Sequence, residues 1–265
     1  MKLYKFRSLH DENNEKLPKL RQRILDIIKR KQLYCEKWKD FKDRCEGAYL
    51  SFEGLTGEMM KLLSSLDGKE RDKKIEELGL LKKSAHDRLR VCSLTMGPLC
   101  SDDLWRVHGD CGRGVAIEFE TDWERFRHPF YKVDYPREEE SGIRNVFGVL
   151  NSVGGNLDRI SESLLTWKKQ EYDFENEVRI ICGQSELEPV RIESVDVSRL
   201  DEAVYRYEKM ENGDNRYFNF ANVLQVKKVW CGSKMDQVDF DWVKSNIVEV
   251  PVVRLDEKSG SVVVK

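Results

Sequence analysis

Apolar and polar residues alternate along several short segments of the chain, which is typical of strands with two unlike faces. The alternation is clearest at residues 114–119, and in the opening segment Tyr4 and Phe6 share one face. Each alternating segment and each short apolar run is predicted to form a strand. These segments are residues 3–8, 32–35, 90–96, 114–119, 130–135, 189–197, 226–231, 248–254 and 261–264.

Longer segments place apolar residues three and four positions apart, which predicts amphipathic helices. Residues 17–31 are the model case, and the same spacing predicts helices within 50–89, at 146–167 and at 236–246. Residues 104–113 are predicted as a turn-rich connection, and the acidic segment 200–222 predicts no regular element. Without an internal repeat or linker, the pattern predicts one mixed α+β domain over residues 1–265, with a helical insertion at about 50–89.

One stretch, residues 171–182, begins charged and ends apolar, as a strand does when it enters a core. On such a strand Glu175, Glu177 and Arg179 share one face, because alternate side chains point the same way. Two carboxylates about 7 Å apart on that face can perform acid–base or cation-stabilising work. The alternative is a solvated face on which Glu and Arg pair weakly.

Composition narrows the class of protein. Charged residues make up 35% of the 265-residue chain, yet the net charge is only −2, so no overall basic field indicates a nucleic-acid binder. The first ten residues show no secretory signal and no apolar segment approaches the length of a membrane span, which predicts a cytoplasmic protein without a membrane partner. The seven cysteines form no CxxC pair and the cysteines and histidines offer no metal-ligand spacing, so no metal site is expected. The glycines match neither a GxGxxG nor a P-loop pattern, so neither a Rossmann site nor a Walker NTPase is indicated.

The order of motifs resembles a bacterial family catalogued as domain of unknown function 2971. The resemblance covers nearly the whole chain and is carried by the opening strand, by the Gly-Val-x-Ile-Glu-Phe strand at residues 114–119 and by Phe-Glu-x-Glu-x-Arg at residues 174–179. The chain departs from the family pattern at residues 41–46 and at His108, which is displaced by one position.

A second, weaker resemblance is to the arginine-type ADP-ribosyltransferase fold, whose order is an Arg strand, a Ser-x-Thr strand and a Glu-x-Glu strand. It implies a mainly antiparallel split sheet with flanking helices, NAD as substrate, and no metal. The residues concerned are Arg7 and Thr95 with Trp105 and Tyr172 for NAD binding, and Ser93, Glu175 and Glu177 for catalysis.

That resemblance also implies a role for each residue. Glu177 would stabilise the ribose cation, Glu175 would orient or deprotonate the acceptor, and Arg7 would hold the pyrophosphate or ribose. Ser93 and Thr95 would position Glu177, and Tyr172 or Trp105 would stack on nicotinamide, although Trp105 is also a candidate core residue. Because each of these strand faces is polar, Arg7, Ser93 and Glu177 are expected to line one cleft.

A non-catalytic module is the competing interpretation. It would bind nucleic acid or a partner in a bacterial defence or toxin system. The basic region 69–90, Arg106 and Arg113 would contact phosphates, and Trp38 and Trp105 would stack on bases. The enzyme interpretation instead expects a nucleotide as small-molecule partner and a protein or nucleic acid as acceptor.

Overall fold

The computed structural model describes residues 1–10, 17–37, 64–73, 76, 80, 89–121, 130–135, 166, 168, 170–183 and 217–256. The helix predicted at 146–167 and the strands predicted at 189–197 and 261–264 lie almost entirely outside the described residues. So does most of the helical insertion predicted at 50–89, of which residues 68–73 are helical.

Within the described residues, the strands and helices largely follow the sequence pattern. The strands are β1 (Lys2–Arg7), β2 (Gln32–Tyr34), β3 (Glu36–Lys37), β4 (Leu89–Thr95), β5 (Val115–Glu120), β6 (Phe130–Lys132), β7 (Glu177–Gly183), β8 (Tyr217–Asn219), β9 (Gln225–Cys231) and β10 (Val252–Arg254). Besides the helical residues 68–73, the helices are α1 (Leu17–Leu25) with a π-helical turn at Asp26–Arg30, α2 (Asp102–Val107) and α3 (Gln237–Asn246), with 3₁₀ turns at Asp110–Gly112 and Gln170–Glu175. Helices with a mixed sheet confirm the α+β class, whereas the ADP-ribosyltransferase-like form of that fold stays a prediction.

Two compact units make up the chain, and each is assembled from separate segments. The first unit comprises Met1–Cys35, Ser93–Arg127 and Gln184–Lys265, and the second comprises Glu36–Cys92 and His128–Gly183. The single domain expected from the sequence stays a prediction. Among the described residues, no helix is long and apolar enough to cross a lipid bilayer.

The first unit is built on strands in the order β10–β9–β5–β1. β5 pairs antiparallel with both β1 and β9, and β10 pairs parallel with β9. Every residue of β5 from Val115 to Phe119 is buried, which is the pattern of a strand covered on both faces. Helix α1 contributes Ile24 and its π-helical turn contributes Ile27 and Ile28, all fully buried, so the apolar spacing correctly identified the core face.

Two close backbone approaches in the first unit require glycine. A Cβ on Gly114 would lie well inside 3.0 Å of the Arg7 carbonyl oxygen, and one on Gly232 would collide with the backbone of Gly112. These contacts join the end of β1 to the start of β5, and the end of β9 to the turn before β5. Any side chain at either position would therefore have to push backbone away from backbone.

The turn-rich connection predicted at residues 104–113 is present only in part, because residues 104–107 belong to a helix whereas residues 108–113 form turns. Its helix α2 begins after Ser101, whose side chain accepts a hydrogen bond from the Leu104 N–H in the manner of an N-cap. Its buried face carries Leu104 and Trp105. Strand β8, at the end of the acidic segment 200–222, was also missed, and it pairs with β2 in a separate two-stranded sheet.

The second unit contains β3, β4, β7 and β6, with Leu89–Cys92 as its share of β4. β7 lies between β4 and β6, so the prediction that this apolar segment is internal to a sheet is confirmed. The predicted start of the strand is wrong, because Gln170–Glu175 forms a 3₁₀ turn. Asn176 then has a φ of 41°, a left-handed conformation that Asn tolerates better than most residues.

The exposed and the buried cysteine thiols are expected to differ sharply in their reactivity towards alkylating reagents. Cys100 and Cys111 are exposed, whereas burial raises the pKa of Cys231 to about 12. Because the thiolate is the reactive form, we expect iodoacetamide at a pH of about 8 to label Cys100 and Cys111 and to spare Cys231. Peptide mass spectrometry of the folded protein measures this directly. Labelling of Cys231 as rapid as that of Cys100 would contradict its placement in the core.

Candidate functional site

Four charged side chains of the second unit are buried together. Glu175, Glu177, Arg179 and Lys168 are each no more than 5% exposed. Charged residues are almost never so deeply buried unless they are paired. The solvated face that the sequence left open for Glu175 and Glu177 is therefore excluded, although the expected Glu–Arg pairing is present.

Lys168 links the two carboxylates. Its Nζ lies 2.8 Å from Glu175 Oε2 and 3.6 Å from Glu177 Oε2. The two glutamates do not share a strand face, since Glu175 ends the 3₁₀ turn and Glu177 begins β7. The left-handed Asn176 between them lets both side chains reach the same amine.

Arg179 fixes the orientation of Glu177. Its Nε donates to Glu177 Oε1 at 2.8 Å and its Nη2 donates to Oε2 at 3.1 Å, a two-point contact that holds the carboxylate plane. The two residues lie two positions apart on β7, so strand alternation places them on one face, as the sequence predicted. The cluster of Lys168, Glu175, Glu177 and Arg179 is hereafter called the charge cluster.

Two tyrosines flank the charge cluster. The Tyr135 hydroxyl accepts a hydrogen bond of 2.9 Å from the Glu177 backbone N–H, and burial raises the pKa of this tyrosine, which therefore stays protonated. The ring of Tyr172 lies under Lys168, with Nζ 4.7 Å from the ring centroid. The ammonium group is thus stabilised by carboxylates and by an aromatic face.

The charge cluster is formally neutral, with two cations and two carboxylates. Pairing is what makes its burial tolerable, since an isolated buried charge loses several kcal/mol of hydration. Two carboxylates and an aromatic ring surround one ammonium group, which is a binding environment for positive charge. Such an environment suits an organic cation or a cationic transition state better than an anion.

Other predicted site residues belong to the first unit. Arg7 ends β1 and is partly buried, and Ser93 is partly buried on β4, where its carbonyl accepts a hydrogen bond from Lys5 Nζ. The Thr95 hydroxyl accepts a hydrogen bond of 2.8 Å from the Gly97 N–H. The expected cleft of Arg7, Ser93 and Glu177 therefore stays a prediction, with Glu177 in one unit and the other two in the other.

Trp105 occupies the core of the first unit. Its indole N–H donates to the Leu99 carbonyl at 2.7 Å, and its ring packs edge-on against Phe6 at 4.9 Å. This is the core alternative that the sequence left open. Trp105 is therefore not an exposed stacking platform for nicotinamide or for bases.

Arginines proposed for phosphate contact are already paired with carboxylates. Arg106 lies 2.6 Å from Asp103, and Arg113 lies 2.7 Å from Asp110. These pairs raise the pKa of both arginines through hydrogen bonds to the aspartates. Since Trp38 and most of the basic region lie outside the described residues, no described contact favours the nucleic-acid module.

Sequence reasoning found Glu175, Glu177 and Tyr172 but missed Lys168 and Tyr135. Neither was marked by a motif, because Lys168 follows a segment predicted as helix and Tyr135 closes a predicted strand.

A search against family models, curated proteins and solved structures found no match to this chain. The family resemblance and the ADP-ribosyltransferase resemblance thus both stay predictions.

Proposed function

We propose that the second unit carries an NAD-cleaving site, and that the protein is an ADP-ribosyltransferase-like enzyme acting on a protein or nucleic-acid acceptor. The observation that carries this proposal is the burial of Glu175 and Glu177 around one ammonium group, with the Tyr172 ring centroid 4.7 Å from that group. A protein rarely buries two carboxylates without either a structural partner or a chemical use. Here both carboxylates contact the Lys168 ammonium group, and Glu177 is also held by Arg179.

In the proposed reaction the nicotinamide–ribose bond breaks and nicotinamide leaves with the bonding electron pair. The ribose carbon then carries positive charge, as in glycoside hydrolysis. Glu177, held in plane by Arg179, stabilises that charge, which takes the place of the Lys168 ammonium. The acceptor attacks the ribose carbon, and Glu175 takes its proton.

Lys168 has a defined part in this proposal. In the free protein it neutralises Glu175, and its displacement leaves a negative site adjacent to Tyr172. The site thereby favours binding of a cation over binding of an anion from solution.

The proposal includes a cytoplasmic location, and this agrees with the six described cysteines, none of which forms a disulfide.

Nicotinamide release is the decisive measurement. Purified protein incubated with adenine-labelled NAD and a cell lysate is expected to release nicotinamide and to label a macromolecule. Glu177→Gln keeps the shape of the side chain but removes its charge, and we expect nicotinamide release to fall by about 10²–10³-fold.

A matched control comes from the first unit. Glu118 is 4% exposed and accepts a hydrogen bond from Trp230 Nε1 at 2.8 Å, so Glu118→Gln imposes a similar change on an equally buried carboxylate. That variant should release nicotinamide at the wild-type rate. Absence of release from the wild-type protein would overturn the proposed function, and equal release from the two variants would remove Glu177 from it.

A further inference from the structure

Three segments of the first unit bring a histidine and three aspartates together. His10 follows β1, Asp110 begins the 3₁₀ turn before β5, and Asp236 and Asp239 lie at the start of α3. Nothing in the sequence pattern linked them, because they are far apart along the chain and the cysteine and histidine spacing predicted no metal. Only the fold makes them neighbours.

His10 is held by carboxylates on both ring nitrogens. Its Nδ1 lies 3.3 Å from Asp110 Oδ2, and its Nε2 lies 2.8 Å from Asp239 Oδ2. A carboxylate on one ring nitrogen commonly fixes a histidine so that the other nitrogen can bind a metal ion. The potential ligand atoms of His10, Asp236 and Asp239 all lie within 4.8 Å of one another.

The carboxylate of Asp239 also indicates a bound cation. This residue is 3% exposed, its Oδ1 accepts a hydrogen bond from Arg21 Nη2 at 3.0 Å, and its Oδ2 lies 2.8 Å from His10 Nε2 in an ion-pair contact whose geometry makes no hydrogen bond. A buried carboxylate oxygen left without a donor is costly, and a cation beside it removes that cost.

Asp236 completes the set. One of its carboxylate oxygens accepts a hydrogen bond of 2.8 Å from the Asp239 N–H and caps α3, which orients the side chain towards the other two. Asp236 is exposed, so the cluster opens to solvent on that side. Three protein ligands with a position left for water is the arrangement of many zinc sites.

We propose that His10 Nε2, Asp239 Oδ2 and an Asp236 carboxylate oxygen bind a divalent transition metal of the zinc class, with Asp110 as the positioning residue for the imidazole. One nitrogen and two oxygens suit such an ion better than Mg²⁺ or Ca²⁺, which prefer oxygen alone. Arg21 fits the scheme as a hydrogen-bond donor to the outer oxygen of a ligating carboxylate. The site lies within the first unit and does not depend on the function proposed for the second.

The test uses the full chain, freed of metal with a chelator and dialysed against Zn²⁺, with bound metal measured by mass spectrometry. We expect one zinc ion per chain and a rise in Tm, since an ion that binds only the folded state stabilises it. Asp236→Asn retains the helix cap but loses a ligand charge, and it should abolish both effects. Asp110→Asn tolerates the left-handed backbone there and should weaken zinc binding by about 10–100-fold.

The matched control is Asp241→Asn on the same helix, where the exposed side chain contacts only Gln237 among the contacts described. It should bind zinc as the wild type does. Two results would overturn the proposal: no zinc retained by the wild-type chain, or equal retention by Asp236→Asn and Asp241→Asn. His10→Gln removes a second ligand and should also abolish zinc binding. If the His10→Gln protein does not fold, Asp236→Asn still tests the proposal, because that variant keeps the helix cap.

Discussion

Replacing Lys168 with methionine is expected to destabilise the protein by about 3–5 kcal/mol, the largest loss we anticipate from a single side chain. Methionine keeps most of the volume of the stem but removes the ammonium group that lies 2.8 Å from the buried carboxylate of Glu175. Removing one partner of a buried ion pair is costly because the other charge stays out of water without compensation. Chemical unfolding followed by circular dichroism measures the effect.

The same lysine-to-methionine change at Lys227 provides the comparison. Lys227 lies 2.9 Å from Glu120, and both side chains are well exposed, at 38% and 52%. An exposed pair of this kind contributes less than about 1 kcal/mol. Adding Glu175→Gln to the Lys168 variant should restore part of the lost stability, since the buried carboxylate charge is then gone. If the Lys168 and Lys227 variants unfold alike, the charge cluster is not buried as described.

Gly114→Ala is expected to lower the free energy of unfolding by about 3 kcal/mol, which is the upper part of the range for overpacked positions. The added methyl group would meet the carbonyl oxygen of Arg7 and approach that of Gly109, which are backbone atoms. A flexible side chain could rotate away from such a contact, but β1 and β5 are paired over their length and cannot separate locally. The change in Tm against the wild type reports the cost.

Gly68→Ala is the matched control for this glycine. No atom lies within 4 Å of the Cβ position there, and Asp67 precedes it as a cap whose carboxylate accepts from the Glu70 N–H. At a helical position alanine is favoured over glycine by about 0.5–1 kcal/mol, so this variant should be slightly stabilised. A Gly114→Ala protein as stable as the Gly68→Ala protein would contradict the close approach of β1 and β5.

Hydrophobic patterning predicted β1, β5 and β9 of the first unit well, because burial and alternation are both local properties of the sequence, but it missed β8 and placed the start of β10 four residues too early. β5 and β9 were placed to within a residue, and Ile24, Ile27 and Ile28 were assigned to the core face of one helix. The start of β7 was misplaced, since a 3₁₀ turn and a strand can share the charged residues that precede an apolar run. The left-handed Asn176 that separates them has no periodic signal.

The candidate site was predictable only in part, for a related reason. Glu175 and Glu177 stand two positions apart and attract notice as a pair, whereas Lys168 reaches them from a segment with no motif. The partner of a buried charge is selected by tertiary packing, which a single sequence does not reveal. The same limit explains why His10 and Asp239 went unnoticed until the fold brought them within 2.8 Å.

The segmented make-up of the first unit has a consequence for synthesis on the ribosome. β1 and β5 can pair as soon as both have emerged, but β9, the other neighbour of β5, follows only after the whole of His128–Gly183 has been translated. During that interval β5 has a free hydrogen-bonding edge on a strand of largely apolar residues, the kind of edge that recruits foreign strands. The nascent chain therefore carries an uncovered strand edge midway through translation, and arrival of Gln225–Cys231 covers it.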